Sequence, residues 1–440
     1  MRKLSLSGVC GVVVFLLLWP GFSGLATSKT SEVADLKREL EKTRQLLDAL
    51  TKKMEQLQDR LQKVEATAVK GEPVAPPPPE TPRRPAMFQI PVGQRQLLLD
   101  IGITGDFVYN FVDGEKKNPR GAGTFKALED RVFPREVEVS FTGRLDPYAR
   151  ADFFFEFAEE GEFEAEGDGF EREREFEVGI EEAYLTLLQL PLGLQARIGK
   201  MRPKFGRLNE RHQHDLPQAD RPNVLANFFG QEGLTETGAE ISALLPTPFF
   251  QELSVGAFNG DNDESFGGRE SFEDPLVTAH LRNFFELNEA SALQVGLSGA
   301  TGPNAPDKRT YLTGLDLTYK WAPPEEPYTV LTLQAEGLYS HRQTRDTDLD
   351  DKNRYGGYVF GDYRLSRHWG VGTRLGYSQF PEEGGREWAV SPYVTFWTSD
   401  FLRFRLQYKH TDRNFADAED INEVFFQASF TLGHHPPHRF

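Results

Sequence analysis

The chain has 440 residues, one cysteine and a formal net charge of −17. That charge repels a phosphate backbone and excludes nucleic acid as a partner. Mean hydropathy is −0.51, too polar for a bundle of membrane helices, yet compatible with a barrel whose interior and loops are polar.

Arg2 and Lys3 precede an uncharged apolar run from Leu4 to Trp19, and Gly24-Leu25-Ala26 offers a small-x-small cleavage site. The apolar core is too short to span a bilayer, so residues 1–26 read as a secretory signal peptide, with the mature chain starting near Thr27. Cys10 lies inside this leader. The mature protein is therefore expected to have no disulfide, no thiol nucleophile and no cysteine-ligated metal.

Residues 27–70 carry a heptad seam of Val33, Leu36, Leu40, Thr43, Leu47, Leu50, Met54, Leu57, Leu61 and Val64. Unbroken 3-4-3-4 spacing over more than four heptads predicts an α-helical coiled coil. A lone amphipathic helix lying on the membrane surface is the other reading. Residues 71–96 form a proline-rich linker, which can hold neither helix nor ladder and predicts an extended spacer.

From about Leu97 to Phe440 the pattern changes to segments that alternate apolar and polar side chains. Period two puts one set on each face of a strand. Repeated without any long apolar run, it predicts an all-β transmembrane barrel of about sixteen antiparallel strands over residues 97–440. The strands read as 97–111, 133–145, 149–158, 176–188, 194–200, 236–245, 251–259, 277–287, 290–300, 310–321, 329–342, 353–365, 369–380, 387–398, 401–412 and 421–432. In 402–409, Leu402, Phe404, Leu406 and Tyr408 are expected to face lipid, with Arg403, Arg405, Gln407 and Lys409 facing the lumen. Connections alternate short and long, as tight periplasmic turns and longer outer loops require, and an even strand count returns both termini to the periplasm. Aromatics fall near the strand ends, with Trp321, Tyr328, Trp369, Trp397 and Phe401 at one level and Tyr311, Tyr339, Tyr377, Trp388 and Tyr408 at the other. This is the placement of interfacial girdles.

Leader, coiled coil, proline-rich spacer and sixteen strands together resemble the phosphate-selective porin O and P family of Gram-negative outer membranes. The stretch Gly199-Lys200-Met201-Arg202-Pro203-Lys204-Phe205-Gly206-Arg207 resembles a strand-to-loop sequence of those barrels. Residues 208–214, Asp220-Arg221-Pro222 and the ending Gly433-His434-His435-Pro436-Pro437-His438-Arg439-Phe440 are similar to barrels labelled zinc-regulated or TonB-dependent outer-membrane receptors. The resemblance implies a homotrimer in the outer membrane, with a periplasmic coiled coil. Only a linker precedes the first strand, which leaves no globular plug of the kind a TonB-dependent receptor carries. Pro436 and Pro437 interrupt strand geometry just before Phe440, placing the assembly signal at Leu432 and the tail in the periplasm.

The longest connection, 201–235, is expected to constrict the pore, since charges on such a loop and on the facing wall set selectivity. The pore candidates are Arg202, Lys204, Arg207, Arg211, Asp215 and Arg221 on the loop, with Arg374, Arg403, Arg405 and Lys409 on the wall. Further lumen-facing wall charges include Asp100, Asp106, Glu136, Glu138, Glu240, Asp316 and Glu336. The basic set on the strand 401–412 forms either a short cationic ladder for anions or one half of ion pairs that keep a wet barrel open. Glu156–Glu177 holds eleven acidic residues and two arginines and reads as an extracellular loop that concentrates cations at the mouth or bridges lipopolysaccharide. His212, His214, His434, His435 and His438 can ligate a metal, but their spacing matches no fixed ligand geometry and no metal is assigned to them. The sequence contains no Gly-x-Ser-x-Gly elbow, phosphate loop or His-Glu-x-x-His, so neither enzyme activity nor a cofactor is expected. The expected function is an outer-membrane porin passing small hydrophilic solutes or ions by passive diffusion. The alternatives are an envelope tether reaching peptidoglycan through the coiled coil, and a gated receptor or transporter for a metal or small solute.

Overall fold

The computed structural model describes residues 88–92, 95–113, 131–166, 169–268, 271–305, 307–344, 351–382, 384–414 and 420–433. The expected leader and coiled coil, most of the expected linker and the tail histidines lie outside the described residues.

Sixteen strands form one closed antiparallel sheet. They are β2 (Arg95–Asp113), β3 (Arg131–Arg144), β4 (Ala149–Glu166), β5 (Gly169–Leu187), β6 (Leu194–Met201), β7 (Glu236–Leu244), β8 (Phe250–Phe258) and β9 (Leu276–Asn288). They continue as β10 (Ser291–Ala305), β11 (Lys308–Trp321), β12 (Val330–Arg342), β13 (Lys352–Arg364), β14 (Trp369–Gln379), β15 (Arg386–Ser399), β16 (Leu402–Asn414) and β17 (Ile421–Gly433). Each strand pairs with the next, and β17 returns to β2 from Asn422↔Asp113 to Gly433↔Gly102, so no edge is left open. A short strand β1 (Phe88–Val92) folds back on the first residues of β2.

Burial is inverted relative to a water-soluble sheet. On β16 Leu406 is half exposed while Gln407 and Lys409 are fully buried. Asp316 and Glu423 on other strands are buried, and Ile241, Val255, Leu315, Val359, Leu375 and Phe426 are exposed. Apolar outward and polar inward is the pattern of a barrel in lipid. The girdle aromatics Tyr311, Tyr339, Trp388 and Tyr408 are exposed near one rim, and Tyr328, Trp369 and Phe401 near the other. The Trp369 and Phe396 rings pack at 4.7 Å on one rim, and Tyr355 stacks on Tyr377 at 5.6 Å on the other.

All sixteen expected strands are present, with one marked change in extent. The acidic run expected as a loop is instead a ribbon: β4 and β5 stay paired out to Glu166↔Gly169. Neighbouring strands β3 and β6 pair only with the lower parts of this hairpin, so its outer part stands beyond the barrel wall. A charged composition reads as loop, but the period-two arrangement through Phe157 and Phe163 permits continued pairing. β10 also runs further than expected, pairing with β11 out to Ala305↔Lys308.

The lipid face generates a prediction. Leu406→Arg places a charge on that face in the interior of β16 and should destabilise the folded barrel by about 2–4 kcal/mol, whereas Leu406→Ile should not. Urea titration in lipid vesicles, read by heat-modifiable gel mobility, measures the difference.

Candidate functional site

Residues 202–235 leave β6 and cross the barrel interior before returning to β7. Most of the residues between Met201 and Leu234 are buried, on a segment that is irregular apart from a turn at Gln213–Asp215 and one short helix, α1 (Asn223–Phe229). Its two ends are tied together. Asn209 donates from Nδ2 to the carbonyls of Pro203 (3.0 Å) and Leu234 (2.9 Å), and its Oδ1 accepts from the Leu234 backbone N–H at 2.7 Å. Arg221 braces the interior by donating to the carbonyls of Gln231 (2.8 Å), Glu232 (3.2 Å) and Arg211 (3.3 Å).

The segment then meets the wall on several sides. Lys204 Nζ pairs with Glu252 Oε1 on β8 at 2.8 Å, and the Lys204 N–H donates to Glu240 on β7 at 3.0 Å. The Gly206 N–H donates to Ser298 Oγ on β10 at 2.8 Å. At φ +62° Gly206 lies in the left-handed region, and a Cβ there would sit 1.7 Å from Glu336 Oε1 on β12. Only glycine fits this approach. Glu210 pairs with Arg282 on β9.

Asp220 is a hub. Its carboxylate accepts from Arg374 Nη2 at 2.7 Å to each oxygen, from Lys409 Nζ at 2.9 Å and from Gln407 Nε2 at 2.5 Å, joining β14 and β16. Burial alone would raise this carboxyl, but the Arg374 and Lys409 charges outweigh it and hold it down at about 2. Arg403 donates to the His214 carbonyl, and Arg405 to the Leu216 carbonyl at 3.3 Å and Gln427 at 2.8 Å. Asn227 on α1 donates to Ser378 and Glu387, both at 2.9 Å.

An apolar cluster fills the space on one side. Phe205, Leu208, Leu216, Val224, Leu225, Phe228 and Phe229 of the segment pack with Phe258, Phe266 and Leu276 and with Leu312, Leu338, Tyr358 and Phe360 of the wall. The wall gives way at Gly356, where a Cβ would lie 2.6 Å from Val224 Cγ2. Each fully buried large apolar side chain of this kind contributes roughly 1.5–3 kcal/mol. Sequence periodicity does not reveal this cluster, because its wall residues lie on the same pleats as polar ones.

Further round the wall from β16, past β17 and β2, two bulges shape it. The β2–β3 register runs Asp106↔Glu136 and then Phe107↔Pro134, so Arg135 is the extra residue. The β4–β5 register runs Phe154↔Glu182 and then Phe155↔Ile180, so Glu181 is extra. A bulge lets two successive residues point the same way. Arg135 and Glu136 are accordingly both buried, as are Glu181 and Glu182. Arg135 pairs with Asp106 (Nε to Oδ2, 2.7 Å) and donates to the Ala219 carbonyl.

His212 and His214 enter this patch. His212 Nδ1 lies 2.5 Å from Glu138 Oε2, and its Nε2 3.3 Å from Glu182 Oε2. His214 Nδ1 lies 2.8 Å from Glu136 Oε1, and its Nε2 3.2 Å from Asp215 Oδ2. Arg202 joins the same group through Glu181 and, by its backbone N–H, Glu182 at 2.5 Å. Burial disfavours charged imidazoles here, yet the carboxylates outweigh it, Glu181 and Glu138 for His212 and Asp215 and Glu136 for His214, so both sit well above the ordinary histidine value.

The structure thus brings the expected pore residues together, but in docking contacts. Arg202, Lys204, Arg374 and Lys409 are in ion pairs, and Arg221, Arg403 and Arg405 bond backbone carbonyls of the segment. Arg211 reaches the Asp215 carbonyl at 3.5 Å, and Arg207 is buried beside Arg211, Arg282 and Glu210.

No protein-family model matches the chain. A protein of uncharacterised function from Aquifex aeolicus strain VF5 is 28% identical over 409 residues, spanning 80% of this chain and 81% of that one. Among solved structures, the outer membrane channel DcaP of Acinetobacter baumannii matches with a TM-score of 0.50 at 12% identity, over 77% of this chain and 97% of that chain. An anion-selective porin from Comamonas acidovorans gives a TM-score of 0.49 at 12% identity, over 76% of this chain and all of that chain. The chain has the sixteen-strand barrel fold, like that of the DcaP channel.

The Asp220 hub predicts a pH dependence. Its folded-state pKa lies below its unfolded value of 3.8, so its contribution is complete above about pH 4 and is lost as pH falls through about 2. A shift of this size corresponds to about 2 kcal/mol. Asp220→Asn should therefore be destabilised relative to wild type at pH 6, with the gap closing by about that amount between pH 4 and pH 2. Urea titration of both proteins across this range checks it.

Proposed function

We propose that the protein is an outer-membrane porin-type channel in which residues 201–235 set the width of the passage for small hydrophilic solutes or ions. The observation carrying this reading is the anchoring of that segment to strands on opposite sides of a polar lumen, at Lys204 on β8 and at Asp220 on β14 and β16, with the His212–His214 patch as a third anchor on β3. The pairing of the expected pore cations favours a docking role for them over an open anion ladder. A homotrimeric state and a periplasmic coiled coil belong to this proposal through the resemblance to phosphate-selective porins, contact with lipopolysaccharide through the acidic run 156–177, and contact with peptidoglycan through the coiled coil.

The apolar cluster around Phe205 and Phe228 favours a second reading, a gated channel at rest in a closed state. Planar-bilayer recording separates the two. A porin gives steady, small conductance in the wild type and a several-fold rise in Asp220→Ala/Asn227→Ala, which frees one side of the segment. A gated channel is silent in the wild type and conducts in the variant. Silence in both, from barrels shown to be folded, overturns the channel reading and favours a tether. The reversal potential under a salt gradient then gives the sign of selectivity.

A further inference from the structure

We propose that Glu136, Glu138, His212 and His214 bind one divalent transition-metal ion of the zinc class, which ties the inserted segment to strand β3. One donor atom from each residue lies within 4.8 Å of every other, and all four side chains are buried. A four-coordinate ion with bonds of about 2.0–2.1 Å spaces its donors roughly 3.3 Å apart. The present contacts of 2.5 and 2.8 Å between imidazole and carboxylate need only open slightly, and the longest separation close, to reach that spacing. The ion replaces the protons now shared between each ring and its carboxylate, and they leave to solvent.

Three further features point to a metal rather than to ion pairs alone. Each imidazole presents Nδ1 to the cluster and sets its other nitrogen against a carboxylate, Glu182 for His212 and Asp215 for His214. That is the outer arrangement which fixes and strengthens histidine ligands in metal sites. Glu138 Oε1 is fully buried with no hydrogen-bond partner, a costly state that an ion relieves. Five carboxylates, from Glu136, Glu138, Glu181, Glu182 and Asp215, crowd two imidazoles, with Arg202 committed to Glu181. Mixed imidazole and carboxylate donors suit zinc and its neighbours, whereas magnesium and calcium prefer oxygen alone.

The local chain makes the site for its own reasons. Glu136 and Glu138 are two apart on a strand and share its lumen face. His212 is extended, and the turn Gln213–Asp215 brings His214 back beside it, with the rings 5.7 Å apart. The proposal goes beyond the channel reading and is tested by binding, so neither outcome depends on conductance.

The experiment uses the full mature chain, stripped with chelator, checked for folding by gel mobility and titrated with zinc alone. One ion per chain is expected in the wild type and in His434→Ala/His435→Ala/His438→Ala. Stoichiometric binding should be lost in His212→Ala/His214→Ala and in Glu136→Gln/Glu138→Gln. Glu182→Gln and Asp215→Asn, which leave the four ligands in place, should weaken binding by about 10–100-fold, and they keep the test decisive if a ligand variant fails to fold. Cobalt should show the strong visible absorption of four-coordinate geometry in the wild type. Absence of stoichiometric zinc, loss only in the tail variant, or equal competition by magnesium overturns the proposal.

Discussion

Backbone hydrogen bonding in hydrocarbon is the constraint on which everything else here depends. An unpaired N–H or C=O in lipid costs several kcal/mol, so a sheet can cross only if it closes. The ladder between β17 and β2 achieves this and removes the last edge. Closure in turn forces every strand to show one face to lipid and the other to a shared interior. The alternation of exposed Leu406 with buried Gln407 is the consequence at one point of the wall.

An interior made this way is rich in charge, and its charges need partners. The inserted segment supplies many of them. Asp220 meets Arg374 and Lys409, Lys204 meets Glu252, and the carbonyls of His214 and Leu216 take Arg403 and Arg405. The wall therefore holds the segment with groups that a purely apolar lumen could not offer. In exchange the segment brings its own apolar residues, which bury against the outer part of β10–β13. The result is a barrel with polar anchoring on two sides and an apolar core between.

The two bulges show how small a change in backbone can create chemistry. Without the extra residues Arg135 and Glu181, strict alternation would turn one member of each pair toward lipid. With them, Glu136, Glu138, Glu181 and Glu182 converge on the histidines. A bulge costs one ladder position and concentrates several charges on a small patch.

The sequence by itself determined the barrel. Period-two alternation is a local property of each strand, so all sixteen strands and the lipid-facing set of β16 were legible. Lumen-facing Glu136 and Glu138 were legible too, as was 201–235 as the outstanding connection. Tertiary structure alone decided where that connection lies and what it touches. His212 and Glu138 are 74 residues apart, and Asp220 and Lys409 are 189 apart. No spacing rule links such distant positions. The bulges escaped for a related reason: an extra residue in one strand is defined only by its partner strand, and pairing register is a property of two strands, not of one.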